Sequence, residues 1–355
     1  MNDAIKKKQQ KMNCYLARDY KGTLSAGNKA RTDIEAIMAS LGYRNLALKQ
    51  SVSHGGLKHF VRNLAGVLKQ CALIQKGDIM VLQYPMKKYF TPVCHIAHAR
   101  GAKVVALIHD LGSFRRKALT EEKEIRRLSN ADLIIAHNAA MRRWLERRGC
   151  TAKVTELGIF DFLNHSRPAE NHEPGANYKV VYAGNLQRRK NSFLYSIKPQ
   201  GWSMVLYGNG FEASEAAGSE NIDYRGFAKP SDLIKDAGGD FGLVWDGDSI
   251  QKCSGAYGEY LRVNNPHKTS LYIRCGLPVI IWKEAALAPF IEREGLGITV
   301  GSLEELHDIL PSITPDQYIE MRRRVLAIGE RLANGKYAGA ALLRATALLA
   351  PNPSE

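Results

Sequence analysis

Nowhere in the 355 residues does an apolar run approach the ~18 residues that a membrane-spanning helix needs, so no spanning segment is expected. The first eleven residues are polar and lysine-rich and lead into only a short apolar stretch, too short for a secretory leader. The six cysteines, at 14, 71, 94, 150, 253 and 275, form no C-x-x-C pair. That excludes a zinc ribbon or a disulfide framework and predicts reduced thiols in a cytoplasmic protein. No RRM, KH, helix-turn-helix or zinc-finger pattern is present, and exposed aromatics do not interleave the basic residues, which argues against a nucleic-acid binder. Acidic residues are scarce in one half only. Residues 1–170 hold 30 Lys and Arg against 14 Asp and Glu, a net of +16, whereas residues 171–355 hold 20 against 21. Such a basic half can attract an acidic substrate or an anionic membrane surface, or it can simply solubilise the chain.

What is there reads as an ordinary globular protein, 45% apolar and 24% charged, long enough for about two domains. Apolar, β-branched runs at 12–16, 78–83, 103–108 and 131–136 are each followed by a helical or charged stretch, notably 29–41, 95–100, 121–128 and 139–148. A polar break at 165–175 contains two prolines and a glycine, and the alternation then restarts with strands at 178–182, 204–207, 241–245 and 279–282. Helical stretches near 231–237, 267–275 and 285–294 intervene, and a helical tail runs over 315–349. Continuous apolar strands alternating with helices predict parallel sheets covered on both faces. The expected fold class is α/β: two doubly wound, Rossmann-like domains over 1–170 and 171–330, with a helical segment from 331 to 355. In such sheets ligands bind beyond the carboxyl ends of strands, and with two domains the expected site is the cleft they form.

Several strand ends carry residues suited to phosphates. Gly184 and Asn185 end one strand and lead to Arg188 and Lys190, a close-approach turn followed by cations. Tyr207-Gly208-Asn209-Gly210 ends the next, a G-x-G without the third glycine of a dinucleotide fingerprint. A further strand-to-loop turn is Tyr224-Arg225-Gly226-Phe227. In Asn264-Asn265-Pro266-His267-Lys268-Thr269-Ser270 the proline suits a first helical turn, which would put Lys268, Thr269 and Ser270 where free N–H groups and the helix dipole favour an anion. This segment reads as a diphosphate cradle or as an ordinary capped helix start. Asp246-Gly247-Asp248 reads as a Mg²⁺ or Mn²⁺ motif or, with more weight, as a turn that touches substrate. His95 and His98 lack a third ligand and read as packed or surface histidines rather than a metal site. In the first half, Ser25, Gly27 and Lys29 precede or open a helix and could receive a second substrate. His109-Asp110 ends a buried strand and is the candidate for proton transfer, Asp110 ahead of His109; a simple loop start is the other reading.

These turns, in this order, resemble the second domain of GT-B glycosyltransferases, where a G-x-x-x-x-x-K loop, a G-x-G turn, an Arg-Gly turn and a helix ending in C-G-L-P-V-[IV] succeed one another. The corresponding residues are Gly184 to Lys190, Gly208 to Gly210, Arg225-Gly226 and Cys275 to Ile280. More narrowly, the runs F-G-L-V-W-D-G-D-S, C-S-G-A-Y-G-E-Y-L and N-N-P-H-K-T-S-L-Y within 241–272, with Y-A-G-N-L at 182–186 and L-I-H-D-L at 107–111, resemble two related groups. One is the bacterial β-1,6-galactofuranosyltransferases of polysaccharide biosynthesis. The other is the glucosyltransferases that extend GlcNAc on serine-rich adhesins. Retaining GT-B enzymes place a Glu-x7-Glu pair around the final helix; the corresponding segment here offers Lys268 and no matching acid pair.

The resemblance, covering roughly residues 12–330, implies an inverting hexosyltransferase with galactofuranose the first donor sugar and glucose the second. It implies a UDP-sugar held by the second domain with no essential metal or other cofactor, and a glycan acceptor bound by the first. Gly184, Asn185, Arg188, Lys190, Asn265, Lys268, Thr269 and Ser270 would serve the diphosphate and ribose. Tyr207, Gly208 and Phe227 would lie near uracil, and Asp246 and Asp248 near sugar hydroxyls. A lipid-linked acceptor, contact of the basic domain with the inner face of a membrane, and a homo-oligomer are further expectations. The rival reading is a non-catalytic subunit that binds a nucleotide sugar or a glycan.

Overall fold

Every apolar run with β-branched residues becomes a parallel strand, and the strands assemble into two six-stranded sheets among the described residues. The computed structural model describes residues 13–17, 26–46, 71–86, 89–115, 119–170 and 172–350. The first sheet contains β1 (Asn13–Tyr15), β2 (Arg44–Asn45), β3 (Ile79–Tyr84), β4 (Lys103–Ile108), β5 (Leu133–Ala136) and β6 (Lys153–Glu156) in the order β2-β1-β3-β4-β5-β6. The second contains β7 (Lys179–Asn185), β8 (Ser203–Asn209), β9 (Ile222–Tyr224), β10 (Phe241–Val244), β11 (Val279–Trp282) and β12 (Gly297–Val300) in the order β12-β11-β10-β7-β8-β9. All pairings are parallel. Read from β9, the second order is that of a dinucleotide-binding sheet, with its strand order reversing between β7 and β10. In the first sheet the reversal lies between β1 and β3. These two strand pairs are where ligands are expected in each unit.

The chain divides differently from the sequence-based expectation of 1–170, 171–330 and 331–355. One unit comprises 1–158 together with 337–355, and the other 159–336. Residues 159–170 belong to the second unit because its side chains consume their backbone carbonyls. Ser270 Oγ donates to Phe160 O (2.6 Å), Arg274 to Asn164 O (2.9 Å) and Ser166 O (2.7 Å), and Arg322 to Ala169 O. Phe162 also stacks on His267 at 4.9 Å between ring centroids. The expected single helical tail is broken at Asn334-Gly335 into Pro315–Ala333 and Lys336–Leu349. The first of these helices packs on helix His267–Arg274. The second returns to the first unit, where Arg344 donates to Thr155 Oγ1 (3.1 Å) and Glu156 O (2.6 Å) on edge strand β6.

Among the described residues no helix is long and apolar enough to cross a membrane. All six cysteines are free thiols and five are buried. Burial pushes the Cys14 and Cys94 thiols up to about 12, so they stay protonated and act as small apolar packing groups.

A buried histidine makes the first unit acid-sensitive. His137 follows β5, is 1% exposed, and its Nε2 lies 3.0 Å from Ile108 O. Burial, the main cause, lowers its pKa from 6.5 to about 3. Above pH 6.5 both folded and unfolded chains hold it neutral. As pH falls from 6.5 towards 3 the unfolded chain takes a proton that the folded one refuses, so stability declines. The slope contributed is at most about 1.4 kcal/mol per pH unit. Denaturant titrations at pH 7, 5.5 and 4 should show this loss, and a His137→Gln variant should show a flatter dependence. Equal slopes in both proteins would show that His137 carries no such cost.

Candidate active site

The second unit gathers its polar side chains at the carboxyl ends of β7 and β10. Tyr182 lies within β7, facing inward and wholly buried, so its hydroxyl needs a partner. It donates to Asp246 Oδ1 (3.2 Å), just beyond β10. Lys268, in the first turn of helix His267–Arg274, sends its Nζ back to the same point. It donates to Asp246 Oδ1 (2.9 Å), Trp245 O (3.2 Å) and Tyr182 Oη (3.1 Å), and lies 4.5 Å from the Tyr182 ring centroid. Burial first, and the Asp246 carboxylate second, hold the Tyr182 hydroxyl well above the ordinary phenol range, so it remains a donor. The result is a cation and an anion, each with 13–16% of its side chain exposed, at the reversal point of the sheet.

Backbone contacts lock this arrangement. Tyr272, four residues after Lys268 and so on the same helix face, accepts a hydrogen bond from Ala183 N (2.8 Å) near the end of β7. Its ring lies directly on β10 at Gly242, where a Cβ would stand 2.3 Å from Tyr272 Cγ. Gly242 is therefore required by that close approach. Gly208 has the same necessity for another reason: its φ is +143° and a Cβ would meet Gly184 O at 1.8 Å. The G-x-G turn thus serves the tight pairing of β7 with β8. Asn191, fully buried, joins the two strand-end loops by donating to Asn185 O (2.7 Å) and accepting from Gly247 N (3.4 Å).

The other candidates are distributed unevenly around this point. Asn185 closes its own turn through Oδ1, which accepts from Gln187 N (2.9 Å). Arg188 is exposed, ion-paired with Glu215, and lies over the Tyr195 ring. Lys190 Nζ lies 5.0 Å from the Tyr257 ring centroid. Asn265 is buried. Thr269 and Ser270 are also buried, and the Ser270 hydroxyl is spent on Phe160 O, so these hydroxyls do not form an exposed cradle. Lys268 alone of that trio reaches the strand ends. Tyr207 is buried too; its hydroxyl donates to Ala237 O (3.2 Å) and accepts from Arg225 Nη1 (3.1 Å). Phe227 is 52% exposed, Tyr224 41% and Tyr257 38%, so exposed aromatics lie at and beyond β9 and also beside Lys190. Asp246 and Asp248 serve different partners, Lys268 for the first and Ser254 Oγ for the second. Among the described residues no three His, Cys, Asp or Glu side chains converge as a metal site would require. His95 and His98 are surface groups bonded to Asn130 and Asp132.

In the first unit, Ser25 lies outside the described residues. Gly27 falls in the first turn of helix Ala26–Ser40, and Lys29 lies along that helix in an ion pair with Asp33. At the end of β4, Asp110 pairs with Arg115 (2.8 Å) in a partly exposed contact. His109 instead meets Gln83 of β3, Nε2 to Oε1 at 2.7 Å, and Gln83 Nε2 donates to Glu35 Oε1 at 3.0 Å. Sequence reasoning passes over Gln83, Glu35, Tyr182, Tyr272 and Asn191. Only the tyrosines carry a signal, since a hydroxyl inside an apolar strand or helix face demands a buried partner.

Comparison with known proteins bears on the family and the fold. The family model of the glucosyltransferase 3-like N-terminal domain matches residues 13–159, and that of the glucosyltransferase 3-like C-terminal domain matches 180–345. The chain is 33% identical over 315 residues to the β-1,6-galactofuranosyltransferase WbbI of Escherichia coli K12, covering 88% of this chain and 92% of that one. It is 26% identical over 324 residues to glucosyltransferase 3 of Streptococcus gordonii, covering 89% and 92%. Among solved structures, the apo lipopolysaccharide outer core galactosyltransferase WaaB aligns with a TM-score of 0.58 at 12% identity, over 94% of this chain and 99% of that one. A glycosyltransferase from Rickettsia africae aligns at 0.59 and 11% identity, over 96% and 98%. The structures share the fold, two parallel-sheet α/β units of GT-B type, and the sequence relatives share both halves of the chain. The protein is therefore a glycosyltransferase of GT-B fold belonging to the glucosyltransferase 3-like family.

Proposed function

We propose that the chain is an inverting hexosyltransferase that takes a sugar from UDP and places it on a glycan acceptor in polysaccharide or glycoconjugate assembly. The single observation that carries the donor assignment is Lys268, whose amine reaches the reversal point of the second sheet from the first turn of a helix. A nucleoside diphosphate is the ligand class that a cation in the first turn of a helix suits at such a point. Galactofuranose ranks first and glucose second because the relative at 33% identity is named for the one and that at 26% for the other. A β linkage made from an α-configured donor requires inversion. In this reading Asp246, whose Oδ1 accepts from Lys268, also receives a sugar hydroxyl.

The test is UDP release from UDP-galactofuranose, UDP-glucose and UDP-galactose with glycan acceptors, with and without EDTA. Release that is fastest with UDP-galactofuranose and persists in chelator is expected, since Lys268, Lys190 and the helix N-terminus supply the positive field for the leaving diphosphate. Activity lost to EDTA and restored by Mn²⁺ would make Asp246-Gly247-Asp248 a metal motif. Binding without release would favour the non-catalytic subunit.

The excess of positive charge in residues 1–170 suits an acceptor held at an anionic bilayer, such as a lipid-diphosphate-linked glycan. Flotation with vesicles rich in anionic lipid should show binding at low salt that weakens as salt rises. Absence of binding at low salt would return the charge to solubility.

A further inference from the structure

Helix His267–Arg274, which carries Lys268, is eight residues long and its start has no side-chain cap. A helix that short is not placed by its own hydrogen bonds; its position comes from what packs on it. At about 100° per residue, Lys268 and Tyr272 share one face, and His267, Ser270 and Arg274 share another roughly 150° round the axis. The first face meets the strand ends of the second sheet. Lys268 reaches Asp246, Tyr182 and the Trp245 carbonyl, and Tyr272 Oη accepts from Ala183 N (2.8 Å).

The second face grips residues 160–166 of the same unit. Ser270 Oγ donates to Phe160 O (2.6 Å), and the His267 ring stacks on Phe162 at 4.9 Å and stands edge-on to Phe160 at 6.0 Å between centroids. Arg274 Nη2 donates to Asn164 O (2.9 Å) and Ser166 O (2.7 Å). Phe160, Phe162, Ser270 and Arg274 are all buried. The gripped segment has its own anchor, because Phe162 N donates to Leu332 O (3.1 Å) in helix Pro315–Ala333. That longer helix also secures the far end of His267–Arg274: Arg274 Nη1 donates to Gly329 O (3.2 Å), and Arg322 donates to Gly276 O. At the near end, beside Lys268, the hold is that of Ser270 and His267 on Phe160 and Phe162.

We propose that residues 160–166 tune donor affinity from the other side of this helix: they set where its first turn stands, and so the reach of Lys268. Ser270 and Phe162 are then positioning residues for the donor, not ligands of it. The proposal rests on the transferase reading above, in which Lys268 meets the diphosphate. Ser270 follows Lys268 by two residues, roughly 160° round the helix, and its hydroxyl is given to Phe160 O. The Lys268 amine makes three contacts of 2.9–3.2 Å, and such bonds weaken steeply with added length or misalignment. A displaced first turn therefore costs the ligand that Lys268 serves. By reciprocity, a diphosphate that draws on Lys268 strengthens the hold on 160–166 by the same free energy.

A double-mutant cycle on the full chain tests this, with UDP as the probe and titration calorimetry as the readout. Ser270→Ala should weaken UDP binding about fivefold or more. In a Lys268→Ala background the same change should have almost no further effect, because a residue that acts by placing Lys268 has nothing left to place. Phe162→Leu keeps an apolar side chain but removes the ring under His267. It should repeat the pattern, and it takes the place of Ser270→Ala if that variant does not fold. The second measurement is hydrogen exchange with and without saturating UDP. Exchange at the Phe162 amide, bonded to Leu332 O, and at the Ser166 amide, bonded to Asn164 Oδ1, should slow more than exchange in edge strand β12. That excess should vanish in Ser270→Ala. Additive losses in the cycle, or equal slowing in the two regions, would overturn the proposal and leave Lys268 as a donor ligand. Wild-type UDP affinity in Lys268→Ala would instead overturn the donor reading beneath it.

Discussion

Replacing His109 with alanine is expected to lower turnover by about 10²–10⁴-fold, the range for loss of a general base, while UDP affinity stays near that of the wild type. The sequence ranks Asp110 ahead of His109 because a carboxylate leaving a buried strand is a good base when desolvated. The two side chains have different surroundings. Asp110 is ion-paired with Arg115 at 2.8 Å, with 28% of its side chain exposed. His109 is instead buttressed by Gln83 and Glu35. Asp110→Asn should therefore lose a surface ion pair worth about 0–1 kcal/mol and cost less than about tenfold in turnover. Steady-state kinetics of both variants, with UDP titration calorimetry, decide between them. A near-normal His109→Ala enzyme beside a crippled Asp110→Asn enzyme would restore Asp110 to the role.

The second large effect is expected at Lys268. Loss of a charge-assisted contact to a phosphate costs about 1.5–3 kcal/mol, or roughly tenfold to a hundredfold in UDP affinity. From the sequence alone, Lys268→Ala is expected to leave the fold intact. The structure adds a stability cost to that expectation, because the amine also holds Asp246, Tyr182 and the Trp245 carbonyl. Truncating one partner strands the other, and for a pair still partly exposed the cost should be about 1–3 kcal/mol of stability. A Lys268→Ala, Asp246→Asn double variant removes the stranded charge, so it should recover much of the lost stability and none of the lost affinity. Calorimetry and thermal unfolding on the two variants separate the roles. Wild-type UDP affinity in the double variant would take Lys268 out of the donor site.

The sequence by itself determined the alternating order of elements and the interior strands. Runs such as Val104–Ile108, Val180–Tyr182 and Val279–Trp282 are buried on both faces, and burial on both faces demands the continuous apolar character that can be read directly. It also located the strand-end turns, because glycine and cations at those positions have few other uses. Tertiary structure decided most of the sheet edges: among the described residues β2, β6, β9 and β12 are the outermost strands, and apart from the turn that ends β9 none was read from sequence, since short, partly exposed segments such as Lys153–Glu156 need no apolar run. Packing also decided that 159–170 joins the second unit and that 337–355 returns to the first. The polar constellations were least legible of all. Lys268 meets Tyr182 across 86 residues of chain, and His109 meets Gln83 across 26. A buried polar side chain is stable only with a partner, but the partner's identity depends on which strands become neighbours in the sheet, and no local preference of the chain encodes that.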